Sequence, residues 1–261
     1  MKDLKITLIQ TSLHWENIDT NLGMFEQKIS TIQEATDLIV LPEMFSTGFT
    51  MNATSNAENM NGKAVQWMRK TAKKRNCSIV GSLIIKEDKH FYNRLVWMLP
   101  DGQYTTYNKR HLFRMAKEQQ TYTAGDEKII VELNGWKICP LICYDLRFPV
   151  WSRNQSSMQF DILLYVANWP ERRSYPWKQL LIARAIENQC YVVGVNRIGN
   201  DGNCVYHSGD SMTLNPKGEI IGKIKPHEES IETVSLSFST LEEYRKLFPV
   251  ALDGDKFSIE K

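Results

Sequence analysis

Three segments place reactive side chains where an apolar strand gives way to a turn. Asp37-Leu38-Ile39-Val40-Leu41 runs into Pro42-Glu43-Met44-Phe45, which leaves a carboxylate at the end of a buried strand. Partial burial disfavours the ionised form of a carboxyl and brings it toward the range useful for proton transfer, provided a nearby cation keeps it from being simply neutral. Tyr107-Asn108-Lys109-Arg110-His111-Leu112-Phe113 follows a turn and a strand and sets three basic side chains between aromatics. The run from Gly135 to Ile142 reads as a strand that ends at Cys143, with Tyr144-Asp145-Leu146-Arg147-Phe148-Pro149 turning into a helix. A side chain on such a bend is exposed, and the next backbone N–H, that of Tyr144, is free to bind an oxyanion.

Each segment alone has a plainer reading. Glu43 fits a loop cap or a partner for a surface lysine, the lysine segment fits a solvated basic loop, and Cys143 fits a buried thiol as well as a nucleophile. Cys139, inside the same strand, reads as a core thiol. A zinc pair at Cys139 and Cys143 needs further His or Cys ligands at matching spacing, which the sequence lacks, so no metal is expected. Nor does one short basic run make a nucleic-acid surface, because 32 Lys and Arg against 30 Asp and Glu leave a net charge of only +2. The longest apolar runs fall short of the roughly 18 residues that span a bilayer. MKDLKITLIQ alternates like a strand and lacks the apolar core and cleavage site of a signal peptide, so a cytoplasmic location is expected. Five cysteines, an odd set lying in or beside apolar runs, point to free thiols.

Short runs rich in Val, Ile and Leu recur at about 4–10, 37–41, 77–85, 92–98, 129–133, 136–142, 161–167, 190–196, 210–214, 219–224 and 230–236 and read as strands. Helical spacing appears at about 20–34, 62–75, 149–156, 176–189 and 240–247. That alternation predicts an α/β layered fold with a mixed sheet, and so many strands would split into two packed sheets with helices outside. No linker or repeat interrupts the sequence, so residues 1–261 are expected to form a single domain.

Taken together, Glu43, Lys109 and Cys143 resemble the Glu-Lys-Cys triad of the nitrilase superfamily of carbon–nitrogen hydrolases. LPEMF, NKRHLF and LICYDLRFP occur in that family's order and at similar separations, and the resemblance covers about residues 3 to 250. CYDLRFPVWSRN, YVANWP and KRHLFRMA are most similar to the bacterial omega-amidase branch. The resemblance implies a four-layer α-β-β-α sandwich with two mixed β-sheets, a homodimer, and no metal or organic cofactor. It also implies a small-molecule amide substrate: the terminal amide of a 2-oxo dicarboxylic acid monoamide such as 2-oxoglutaramate or 2-oxosuccinamate would be hydrolysed to the 2-oxo acid and ammonia through a thioester. Other readings are a different amidase or a nitrilase on the same triad, or a binding protein without turnover.

On this reading Glu43 is the base, Cys143 the nucleophile, and Lys109 with the Tyr144 N–H the oxyanion site, with Glu118 as the family's supporting carboxylate. A substrate carrying a carboxylate far from its amide needs a cationic anchor, for which an arginine fork is well suited. Arg172 and Arg173 are the first candidates, Arg147 and Arg114 the next, with Trp169 and Phe45 walling the pocket. Asp145 reads as a helix cap, Arg184 and Glu187 as a structural pair, and His111 as shaping the lysine loop.

Overall fold

The computed structural model describes residues 2–155 and 158–259. Its chain begins with β1 (Leu4–Gln10), α1 (Ile18–Ser30), β2 (Leu38–Val40), α2 (Ala53–Asn56) and α3 (Lys63–Arg75). Next come β3 (Ser78–Glu87), β4 (His90–Met98), β5 (Tyr104–Asn108), α4 (Glu118–Thr121), β6 (Val131–Leu133), β7 (Trp136–Ile142) and β8 (Ile162–Ala167). The remainder is α5 (Ser174–Asn188), β9 (Tyr191–Asn196), a hairpin of β10 (Ile198–Asn200) and β11 (Tyr206–Ser208), β12 (Met212–Leu214), β13 (Ile220–Lys223), β14 (Ser230–Leu236) and α6 (Phe238–Leu247).

Two six-stranded sheets result, ordered β14-β1-β2-β3-β4-β5 and β13-β12-β9-β8-β7-β6. Each has a parallel centre, β1-β2-β3 in one and β7-β8-β9 in the other, with antiparallel strands outside it. The central strands β2, β8 and β9 are buried along their whole length, as expected of parallel strands covered on both faces.

Side-chain alternation builds the layers. Leu4, Ile6 and Leu8 of β1 join Leu38, Val40 and Val80 in one core with Ile138, Leu164 and Val193 of the second sheet, so the inner faces pack on each other. The opposite face of the first sheet, with Ile9, Ile39, Ile79 and Val96, packs on Leu22 and Phe25 of α1 and Val65 and Met68 of α3. On the far side, Trp177 and Leu181 of α5 lie against the second sheet. The fold is therefore the α-β-β-α sandwich that the sequence predicts.

Two expectations need correction. Residues 149–152 form turns and 153–155 run on without helix in place of the helix expected at 149–156, whose last residue lies outside the described residues. Phe148 precedes a proline, which disfavours helical backbone there. Asn154 then spends its side chain on the Phe160 backbone and its N–H on Asn188 Oδ1. After Cys143 the chain makes only one 3-10 turn, Cys143–Arg147. The β10–β11 hairpin and the four-residue α2 and α4 were too short to leave a periodic signal.

Close approach of α5 to the second sheet depends on Gly194 in β9, where a Cβ would meet Leu181 Cδ1 at 2.7 Å and Trp177 Cζ2 at 2.9 Å. Gly23, within α1, has open space around it. In urea unfolding, Gly194→Ala should lower stability by about 1–3 kcal/mol through overpacking. Gly23→Ala should raise it by about 0.5–1 kcal/mol through helix propensity.

Candidate active site

Glu43, Lys109 and Cys143 follow the ends of β2, β5 and β7, and the sandwich brings these ends together on one edge. Ser82 of β3 holds the Glu43 loop, its hydroxyl accepting from Met44 N at 2.8 Å and its carbonyl from Phe45 N at 3.1 Å. Lys109 is clamped through its backbone: its N–H donates to the Asn93 carbonyl at 3.0 Å, and its carbonyl accepts from Gly125 N at 2.9 Å. Gly125 is required there, since a Cβ would lie 2.2 Å from the Asn108 carbonyl oxygen.

The lysine side chain is 1 % exposed and lies between two fully buried carboxylates. Its Nζ donates to Glu43 Oε1 at 2.8 Å and to both oxygens of Glu118 at 3.0 Å. Burial works against the Lys109 ammonium, but the attraction of Glu118 and Glu43 outweighs it and holds the lysine above its ordinary pKa. Burial also raises the Glu118 pKa; Lys109 opposes that shift and the Glu43 charge adds to it. The sequence named Glu118 only by family resemblance, and the fold sets it against Lys109.

Cys143 has φ +43°, a left-handed conformation strained for a residue with a Cβ, and it opens the 3-10 turn. Asp145 maintains this bend. Its Oδ2 accepts from Ile142 N at 3.0 Å and Tyr107 OH at 2.7 Å, while Oδ1 accepts from His111 N at 2.9 Å and lies 2.8 Å from His111 Nδ1. One buried carboxylate thus ties the cysteine turn to the lysine loop, a larger role than capping. His111 also stacks on Phe148 with centroids 3.7 Å apart. Burial and the Glu43 charge push the Cys143 thiol well above its ordinary pKa, against the pull of Lys109. Both effects favour the protonated thiol over the thiolate. Burial likewise pushes Cys139 up to about 12, and it is a wholly enclosed core thiol.

Two residues that carried no assignment in the sequence complete the group. Asn168, just after β8, donates its backbone N–H to Glu43 Oε2 at 2.8 Å and its side-chain amide to the Glu43 carbonyl at 2.5 Å. Its own carbonyl accepts from Cys143 Sγ at 3.9 Å. Asn93 of β4 donates to Glu43 Oε1 at 2.8 Å and to Glu118 Oε1 at 3.3 Å. The available signals were Asn168 within the quoted YVANWP segment and a polar side chain in the apolar run of β4.

These groups open onto a cleft of about 750 Å³, into which Cys143, Lys109, Tyr144 and Asn168 project. Arg147, Arg172 and Arg173 line it together with Trp169. None of the three arginines has an ion-pair partner among the described residues. Arg147 lies 5.1 Å over the Trp169 ring and Arg173 5.1 Å over the Phe113 ring. Burial, then the charges of Arg172 and Arg147, hold Arg173 below the ordinary arginine pKa. Arg114 does not line the cleft, although Met115 and Ala116 beside it do. Phe45 must be withdrawn as a wall. It is fully buried, edge-on to Phe25 with centroids 5.6 Å apart, because its position after β2 turns it toward the helix layer, and Phe49 lines the cleft. Arg184 pairs with Glu187 at 3.0 Å and donates to the Leu146 carbonyl, holding α5 to the cysteine turn.

Comparison with known proteins agrees in extent and in kind. The chain is 46 % identical over 259 residues to omega-amidase YafV of Escherichia coli (strain K12), covering 99 % of this chain and 100 % of that protein. It is 34 % identical over 248 residues to 2-oxoglutaramate amidase of Bacillus subtilis (strain 168), covering 94 % and 95 %. Among solved structures, XC1258 from Xanthomonas campestris, a CN-hydrolase superfamily protein, superposes with a TM-score of 0.97 at 42 % identity, covering 100 % of both chains. Since the Carbon-nitrogen hydrolase family profile matches residues 5–246, the chain belongs to the carbon–nitrogen hydrolase family.

Proposed function

We propose that this chain is a cysteine-dependent omega-amidase that hydrolyses the terminal amide of a 2-oxo dicarboxylic acid monoamide, of the 2-oxoglutaramate or 2-oxosuccinamate type, to the 2-oxo acid and ammonia. The observation that carries the reading is a buried Glu43–Lys109–Glu118 group beside Cys143 on a cleft bearing three unpaired arginines. The names of the E. coli and B. subtilis relatives support the same substrate class. On this reading residues 1–261 act as one cytoplasmic domain that pairs into a homodimer. No described helix is long and apolar enough to cross a membrane.

The chemistry follows from the side chains. Glu43 takes the proton from the Cys143 thiol, and the thiolate attacks the amide carbon. Lys109 and the Tyr144 N–H stabilise the oxyanion, each donor contributing about 3 kcal/mol. Glu43 passes the proton to the leaving nitrogen, ammonia departs, and a thioester remains. Water then gives a proton to Glu43 and attacks the thioester. As the second tetrahedral species collapses, the proton returns to sulfur and the acid is released. Glu118 supplies negative charge that fixes the lysine, and no step calls for a metal or organic cofactor. The substrate carboxylate sits among Arg172, Arg173 and Arg147, where it offsets their mutual repulsion, and Trp169 walls the pocket.

Steady-state assays of ammonia release on 2-oxo acid amides should find Cys143→Ala and Cys143→Ser inactive and Cys139→Ser active. Equal losses at both positions in folded protein would defeat the nucleophile assignment. Lys109→Arg should also lose most activity, because a planar guanidinium cannot occupy the compact ammonium position between two carboxylates. Replacing the anchoring arginine by Ala should lower kcat/KM for the charged substrate by roughly 10–100-fold, the effect of losing a charge-assisted hydrogen bond, and spare a neutral amide of similar size. Arg172, Arg173 and Arg147 are tested in that order, and equal losses on both amides for all three would place the anchor elsewhere.

A further inference from the structure

Asn93 is fully buried and absent from the cleft lining, so its part in the site is carried by Glu43 and Glu118. Its register explains its position. Arg94 pairs with Asn108 across β4 and β5, which sets Asn93 opposite Lys109 one residue beyond the ladder, where the Asn93 carbonyl accepts the Lys109 N–H. The two side chains consequently reach the same carboxylate oxygens.

The hydrogen bonds to Glu43 are unequal. Oε1 accepts from both Lys109 Nζ and Asn93 Nδ2, whereas the backbone donor on Oε2 is the Asn168 N–H, and the Cys143 thiol lies within hydrogen-bonding reach of the carboxylate. Oε2 is also the oxygen that shares Asn168 with the Cys143 thiol. A proton on Oε1 would face two N–H donors and could stay only if one of them turned away. The orientation of the Asn93 amide follows from its partners, since both are carboxylate oxygens and only the NH2 end can donate to them. The Asn93 Oδ1 atom is left buried with no partner. An unsatisfied buried carbonyl is destabilising, and here it accompanies an amide turned so that both its hydrogens meet the carboxylates.

Resting on the amidase reading above, we propose that Asn93 is a positioning residue that keeps Oε1 of Glu43 an acceptor and confines the travelling proton to Oε2. Protons then move over one oxygen only: from Cys143 sulfur to Oε2, from Oε2 to the leaving nitrogen, from water back to Oε2, and from Oε2 to sulfur. The charged and titratable groups around this path are Glu43 after β2, Lys109 after β5, Glu118 in α4, Cys143 and Tyr144 after β7, the Tyr122 phenol after α4 and Arg173 before α5. Of these only Glu43 carries the proton between sulfur and nitrogen. Among the described residues, Asn93 is also the one uncharged side chain that donates to both Glu43 and Glu118.

The sign of the effect follows. A donor to a carboxylate favours the ionised form, so removing it favours the protonated form. The experiment measures pH profiles of kcat and KM for the full-length protein and its Asn93→Ala, Asn93→Ser and Asn93→Asp variants, with folding checked by circular dichroism. Asn93→Ala should lower kcat roughly 10–100-fold, the range of a disturbed general-base step, with KM nearly constant, and should move the acid limb of the profile to higher pH. Asn93→Ser, which keeps one donor, should recover part of both effects, and it carries the test if the alanine variant does not fold. Asn93→Asp, with a third carboxylate, should move the limb further. The rate of Cys143 alkylation by iodoacetamide, which involves no turnover, should shift along the pH axis in the same order. An acid limb that stays in place in the folded variants, or a loss that falls on KM alone, would overturn the role of Asn93. A Cys143→Ala variant that still turns over would instead overturn the cysteine-dependent mechanism on which this proposal rests.

Discussion

An ammonium between two carboxylates, all three essentially out of contact with water, is the arrangement on which the rest of the site depends. Removing an ion from water costs several kcal/mol even after the protein relaxes, and the charges here do not balance within the group. The fold supplies the missing compensation as fixed donors: Asn93, Asn168 N, and Phe113 N, which donates to Glu118 Oε2 at 2.5 Å. Each donor is held in turn by the sandwich, by the β4–β5 register, the end of β8 and the loop that leads into α4. Disturbing any of these anchors leaves a buried charge under-compensated, a heavier penalty than the loss of one ordinary contact.

A separation of charge runs from the floor of the cleft to its walls. Buried behind the floor, Glu43 and Glu118 flank Lys109, which itself lines the cleft, while Arg147, Arg172 and Arg173 make one wall basic. On the proposed reading this field orients the substrate before any fitted contact forms. A carboxylate end is drawn to the arginines and repelled from the floor, which leaves the neutral amide as the end that can approach Cys143.

The layers and the order of the three reactive segments were legible in the sequence because both rest on local pattern: fully apolar runs for parallel strands, and a reactive residue just past the end of each run. What was missed depends on pairing between distant strands. Asn93 stands opposite Lys109 only through the β4–β5 register, and Asn168 meets Glu43 only when the two sheets dock. Phe45 shows the reverse error, for proximity in sequence suggested the cleft while strand geometry turned the ring to the opposite face of the sheet. The segment at 149–156 looked helical by its spacing, but Pro149 and the Asn154 side chain took the backbone elsewhere.

The hydrogen bond from Asn168 to Glu43 joins partners 125 positions apart that follow strands of different sheets. This has a bearing on biosynthesis. A chain emerging from the ribosome carries Glu43 and Lys109 long before β8 exists, and until the second sheet closes on the first Asn168 cannot hold Glu43 Oε2. Contacts of such high sequence separation carry a large loop-closure cost and slow folding. The Glu43–Asn168 contact therefore forms only with the docking of the two halves, and a chain whose sheets have not met lacks it.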